Sequence, residues 1–187
     1  MTADAAASAD GTGSRFLRAL TPEARAAFDA WLSLSTGGGP PPLLELAPHR
    51  LPRSLLPRLM LFESEPGGQW LCRLAGEEMW LILARNAKGR RLEELVRAAE
   101  RERRHRQFQA ILETGLPLWF SGPLQLDTRS HITIGRLALP LKGAGGVPLI
   151  LVAYTYIDDP AAVRGRRAPE SGFGPTEAII CAKEDLG

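Results

Sequence analysis

Cysteine is scarce in this chain of 187 residues, and Cys72 and Cys181 stand far apart with no C-x-x-C partner. That argues against both a zinc site and a disulfide framework, and makes a reducing cytoplasm the simpler home. Long apolar runs are missing too: nothing approaches the roughly 20 residues of a membrane span. Residues 1–14 are rich in Ala, Ser and Gly with Asp4 and Asp10, and lack the basic start and apolar centre of a signal peptide. A soluble protein is expected. Neither sign of charge dominates, because 23 Lys and Arg face 21 Asp and Glu for a formal charge of +2. The pI of 8.8 is basic, yet 20 of those 23 bases are Arg, which fits codon bias. Charge alone therefore points to neither nucleic acid nor a membrane surface. Signatures of a fused kinase, cyclase or DNA-binding helix-turn-helix are absent, no catalytic motif rises above background, and the chain is not expected to be an enzyme.

What is present suits one domain with terminal extensions, since 44% hydrophobic residues supply an ordinary core. The reading divides the chain into a flexible leader (1–20), an N-terminal helix and Gly/Pro linker (21–42), a folded domain (43–158) and a C-terminal tail (159–187). Thr21-Pro22-Glu23 reads as an N-cap, a proline in the first turn and an acid behind it, starting a helix over about 22–34. Phe28, Trp31 and Leu32 form its apolar stripe. The run from Gly37 to Pro42 is a linker, because no Lys-Ser/Thr completes a phosphate loop. Prolines among Leu51, Leu55 and Leu56 make a short irregular lead-in. Strands over 58–63 and 69–75 flank a turn-forming loop, giving a hairpin. Glu77 and Glu78 favour a helix N-terminus, and as neighbours that point apart they are structural rather than an acid/base pair. A helical segment over 90–95 leads to a long helix ending at Thr114, with Gly115 as its stop and Pro117 beyond. Strands over 117–121, 131–141 and 147–157 complete the pattern, the last two joined by the hairpin loop at Lys142 to Gly146. A short element of undecided type falls at 176–181.

Two strands, a helical connector, a longer helix and three strands is the order of the PAS fold. The chain resembles a bacterial single-domain PAS family through Trp31, Pro57-Arg58-Leu59, Arg73-Leu74-Ala75-Gly76, Gly89-Arg90-Arg91-Leu92 and Pro140-Leu141, in that order over about 25–157. It departs at Phe62-Glu63, where the family commonly has Asp. The resemblance implies an α+β fold: a five-stranded antiparallel sheet with connector helices on one face and an added N-terminal helix. It also implies sensing or partner binding, with no catalytic set to carry over.

The last strand alternates Leu149, Leu151, Ala153 and Thr155 with Ile150, Val152, Tyr154 and Tyr156, so both faces of the sheet need cover. One helical layer covers one face. The other calls for the Trp31 helix, a second subunit or both, and a homodimer using Phe28, Trp31 and Leu32 is expected. Ligand-pocket candidates are Trp80, Leu83, Leu92, Leu95, His105, Phe108 and Leu112, large or apolar residues on the connector and long helix. His105 shares a face with Phe108 and Leu112 by spacing, and the resemblance makes it a candidate haem ligand as well as a structural or ligand-contacting histidine. Cys72 lies in a strand rather than in the connector Asn-Cys-Arg motif of flavin photosensors, and reads as a small buried hydrophobe. Ser130 and His131, with Asp127 nearby, would point to opposite faces of a strand, which defeats a hydrolase reading. Arg101, Arg103, Arg104 and Arg106 read as a solvated helix face balanced by Glu100 and Glu102. Neither a metal site nor a nucleic-acid partner is expected, and the cofactor is left open. The function expected is a regulatory module that binds a small molecule or a protein and signals through a separate partner. The alternatives are a ligand-free interaction scaffold or, more remotely, a small-molecule enzyme.

Overall fold

A computed structural model describes residues 15–35, 37, 39–83, 85–125, 131–157, 172–173 and 177–186. The leader before residue 15, Asp127, Ser130 and the basic stretch 164–167 lie outside them. The middle of the sheet is β5 (Pro148–Tyr156), which pairs with β1 (Leu59–Glu65) on one side and β4 (His131–Lys142) on the other. Seven consecutive residues of β5 are buried. A strand reads as a continuous apolar run only when both its faces are covered, which is the case here. β2 (Gln69–Ala75) flanks β1, and β3 (Leu118–Gln125) flanks β4, so the order is β2-β1-β5-β4-β3 with every pair antiparallel.

The sheet is larger than the five strands expected. Both β6 (Gly172–Phe173) and β7 (Glu177–Ile180) pair with the outer edge of β3, giving seven. The short element expected at 176–181 is thus a strand. It satisfies backbone groups that β3 would otherwise leave open at a sheet edge, and just beyond it Cys181 is buried.

The outer face is covered from within the chain. Helix α1 (Arg15–Ala19) precedes α2 (Pro22–Leu32), whose N-cap Thr21 accepts a hydrogen bond from the Ala24 amide at 3.3 Å. Ala24, Ala27, Phe28 and Trp31 are buried in one cluster with Leu137, Leu139, Leu149 and Leu151 of the sheet. The Trp31 indole N–H donates to the Pro140 carbonyl at 2.7 Å. The placement of Phe28 and Trp31 at a dimer interface is corrected accordingly, since both are fully buried in a single chain, while Leu32 packs partly buried beside them. The reason is steric and hydrophobic, since the outward residues of β4 and β5 make an apolar floor that α2 is positioned to close. The proline-rich approach adds Leu46, Leu51 and Leu55 to the same cluster. Arg58, at its end, is held by Ser54 and Tyr154 carbonyls and by Glu23.

The inner face carries α3 (Glu77–Leu83), α4 (Leu92–Leu95) and α5 (Ala98–Thr114). Helix α5 stops at Gly115, whose φ of 66° is the left-handed conformation a residue without Cβ adopts freely. Beneath these helices Ile150, Val152 and Tyr154 of β5 join Phe62, Trp70 and Phe108 in a second core. The alternation along β5 has sorted its side chains between two cores as its sequence implied. No helix among the described residues is long and apolar enough to cross a membrane.

Candidate functional site

Three adjacent strands place one row of side chains side by side: Phe120 of β3 is opposite Arg136 of β4, and Arg136 is opposite Tyr154 of β5. Period-two alternation turns Arg136 to the same side as Ile134 and Ala138, both members of the inner core. From above, α5 brings Arg104 onto its buried face with Phe108 and Ile111, at i+4 and i+7. The two guanidiniums converge on one ring, with Arg104 Cζ 4.5 Å and Arg136 Cζ 5.5 Å from the Phe120 centroid. Arg136 also lies 5.6 Å from the Tyr154 ring. These separations fall within the range of cation–π contacts. Between them and the residues of α4 remains a cavity of about 20 Å³, room for one or two water-sized groups.

The electrostatics follow from burial. Arg136 is 1% exposed and Arg104 3%. Loss of water, together with the charge of Arg104, lowers the Arg136 pKa to about 9. Desolvation likewise lowers Arg104 to about 10. Both remain cationic at neutral pH. Arg104 donates to Gln107 Oε1 at 2.8 Å and has Glu100 at 3.7 Å, a carboxylate it shares with Arg103. Burial raises the Tyr154 pKa against the lowering effect of Arg136. It also pushes the nearby Cys72 thiol up to about 11. Phenol and thiol are therefore neutral beside two cations.

Of the pocket candidates, Leu83, Leu92, Leu95 and Phe108 line this cavity. Trp80, His105 and Leu112 do not. Trp80 is 53% exposed on the outer side of α3, and Leu112 is 36% exposed, bordering a separate groove of about 400 Å³ between the end of α5 and the β4–β5 hairpin. His105 turns away from the cavity, and its Nε2 meets Glu93 Oε1 at 2.5 Å, tying α5 to α4. A cavity of about 20 Å³ also has no room for a porphyrin. The error was one of helical phase. Phe108 and Leu112 sit four apart, but the buried stripe runs Arg104, Gln107, Phe108, Ile111, and one residue is a turn of about 100°. Arg104, Arg136 and Tyr154 were the residues missed. A charge between Gly135 and Leu137 in a strand whose same-side neighbours are Ile134 and Ala138 was the available signal for Arg136. For Arg104 the cluster of surrounding arginines hid it. Among the described residues no three His, Cys, Asp or Glu side chains gather as metal ligands.

An antiparallel sheet in the order 2-1-5-4-3, with short connector helices and one long helix closing over one face, is an α+β arrangement of the PAS type. Compared with known protein families, residues 20–154 match the PAS domain, and the chain belongs to that family. A sensory or regulatory role in general follows from membership. No curated protein and no solved structure matches the chain.

Proposed function

We propose that this protein is a non-catalytic PAS sensory module of the bacterial cytoplasm, which takes a small ligand between its helices and its sheet and signals through contacts with a separate protein. The observation that carries the reading is the interior cavity, walled by Arg104, Arg136 and Tyr154 within otherwise apolar packing. A few convergent polar groups among apolar side chains have the composition of a ligand site, and at about 20 Å³ this one admits a water-sized group as it stands, so a larger ligand enters by moving the helices over it. A homodimer belongs to the proposal, but through surfaces other than Phe28 and Trp31. The exposed side chains of Trp80 and Leu81 on α3 are available to one. The second reading, a ligand-free interaction scaffold, is favoured by the tight edge-to-face packing of Phe62 and Trp70 on Phe108, at 5.3 and 5.2 Å, which fills most of the inner core.

Native mass spectrometry of freshly purified protein, set against its denatured mass, separates these readings. Excess mass lost on denaturation supports the ligand-binding module. A species at the polypeptide mass, unchanged by incubation with a cell metabolite extract, supports the scaffold. The same spectrum reads monomer or dimer directly.

A further inference from the structure

Away from the inner cavity, a groove of about 400 Å³ opens where the C-terminal turn of α5 meets the β4–β5 hairpin and the Gly39-Pro40 segment that follows α2. Its volume lies in the range of small-molecule sites. Ile111, Leu112, Leu141, Leu149 and Ile150 give it hydrocarbon walls, and Pro40, Pro140 and Pro148 add residues with no amide hydrogen to donate. Several of its polar groups are already engaged within the protein. Ser35 Oγ donates to the Gly39 carbonyl at 2.7 Å, the Trp31 indole to the Pro140 carbonyl at 2.7 Å, and the Thr114 hydroxyl to the Ala110 carbonyl at 2.6 Å. Glu113 Oε1 accepts from Gln109 Nε2 at 3.1 Å, which draws that carboxylate back along α5. Lys142 differs. Its backbone is pinned to the segment after α2, its amide donating to the Pro41 carbonyl at 2.9 Å and its carbonyl accepting from the Leu43 amide at 2.8 Å. Its ammonium stands against the groove wall, where a Cβ added to Gly39 would lie 3.8 Å from Nζ. No carboxylate among the described residues pairs with it.

We propose that this groove binds an amphipathic monocarboxylate with the chemistry of a medium-chain fatty acid, its carboxylate on Lys142 and its hydrocarbon chain along Leu112, Leu141 and Leu149. The lining selects this class. A single ammonium matches a single negative charge, whereas a phosphate dianion asks for more donors than proline-rich walls offer. The C-terminal end of α5 carries the negative pole of the helix dipole, so the head lies toward Lys142 and the tail toward α5. A peptide chain would bring carbonyls in need of donors, and an alkyl chain brings none. The site is separate from the inner cavity and stands independently of the ligand reading above. Its occupant touches α5, the β4–β5 hairpin and the Gly39-Pro40 segment together, and so ties the inner helical layer to the chain leading out of α2.

The test is a titration of the full-length ¹⁵N-labelled protein with sodium butanoate, hexanoate and octanoate, using octylammonium chloride as the same tail under the opposite charge. Backbone amide resonances, arginine Nε–H resonances and thermal unfolding are followed together. The expected result is a saturable shift at the Gly115, Lys142 and Gly146 amides while the Arg104 and Arg136 resonances stay in place. Affinity should rise about two- to fourfold per added methylene, and Tm by about 3 °C at ~10-fold excess of octanoate over Kd. Lys142→Met keeps the aliphatic stem and the backbone hydrogen bonds, and is expected to fold as the wild type does while binding octanoate about tenfold more weakly. Lys142→Glu should exchange the preference, taking octylammonium in place of octanoate. Equal wild-type shifts with octylammonium and octanoate, an affinity independent of chain length, or an unchanged octanoate affinity in Lys142→Met each overturn the proposal. So do shifts that never saturate and spread over the whole protein, the mark of surfactant adsorption, and shifts centred on Arg104 and Arg136, which would put the ligand in the inner cavity. An N-acetylated peptide ending in leucine that moves the same amides and binds more tightly than octanoate overturns it in favour of a protein partner.

Discussion

On the outer face of the sheet, Phe28, Trp31 and Leu55 meet Leu137, Leu139 and Leu151 in a cluster of apolar side chains, and the polar indole edge of Trp31 is answered by the Pro140 carbonyl. On the inner face, Phe62, Trp70 and Phe108 pack as tightly, yet the same layer encloses Arg104 and Arg136. The difference teaches that one sheet can carry an aliphatic and aromatic cluster on one side and, on the other, a core that takes two cations in among its rings. Residues adjacent along β4, such as Gly135 and Arg136, belong to opposite regimes.

The largest effect is expected from Trp31→Ala, which removes a fully buried indole and leaves the Pro140 carbonyl without its donor. It should cost about 3–5 kcal/mol in urea unfolding, while the inner-face arginine resonances stay near their wild-type positions wherever the protein is folded. Movement of those resonances by as much as the outer core's own would break the claim that the two cores are separable. Next comes Gly135→Ala. A Cβ there would lie 2.0 Å from Trp119 Cη2, so the indole must move, at about 1–3 kcal/mol by the same measurement. A neutral result would mean that Trp119 can leave the outer core without loss.

How much was legible in the sequence can be judged from particular elements. The alternation along β5, the N-cap at Thr21, the left-handed stop at Gly115 and the hairpin before Gln69 all depend on neighbours close in the chain, and all were readable. The fate of Phe28 and Trp31 was not, because an amphipathic stripe states that it must be covered without stating by what. The candidate site was only half legible, since the apolar lining at Leu83, Leu92, Leu95 and Phe108 follows from pattern but the charged wall depends on register across three strands.

The smallest effect sharpens the comparison through the two thiols, one in each core. Burial pushes Cys72 up to about 11 and, with help from Asp185, Cys181 up to about 12. Folded-state values above the ordinary 9.0 mean that the folded protein holds its thiol protons longer than the unfolded chain. Their contribution to stability is therefore fully present below pH 9 and declines as the pH climbs toward 11. Neither thiol should react with iodoacetamide at pH 8 in the folded state. In pulsed labelling under mild denaturant, Cys181, beyond the four-residue strand β7, should label before Cys72 of the longer β2, whose backbone is also hydrogen-bonded to Gly89 and Arg90. Simultaneous labelling would show that the two cores open as one unit.

The sequence by itself determined the order of elements, the antiparallel α+β class and the PAS pattern, because hydrophobic period, caps and turns are local properties of the chain. The tertiary structure alone decided that α2 closes the outer face, that β7 extends the sheet at β3, and that Arg104 and Arg136 meet over one ring. Those outcomes depend on strand register and helical phase, where a shift of one residue sends a side chain to the opposite face, and only the packed protein fixes that phase.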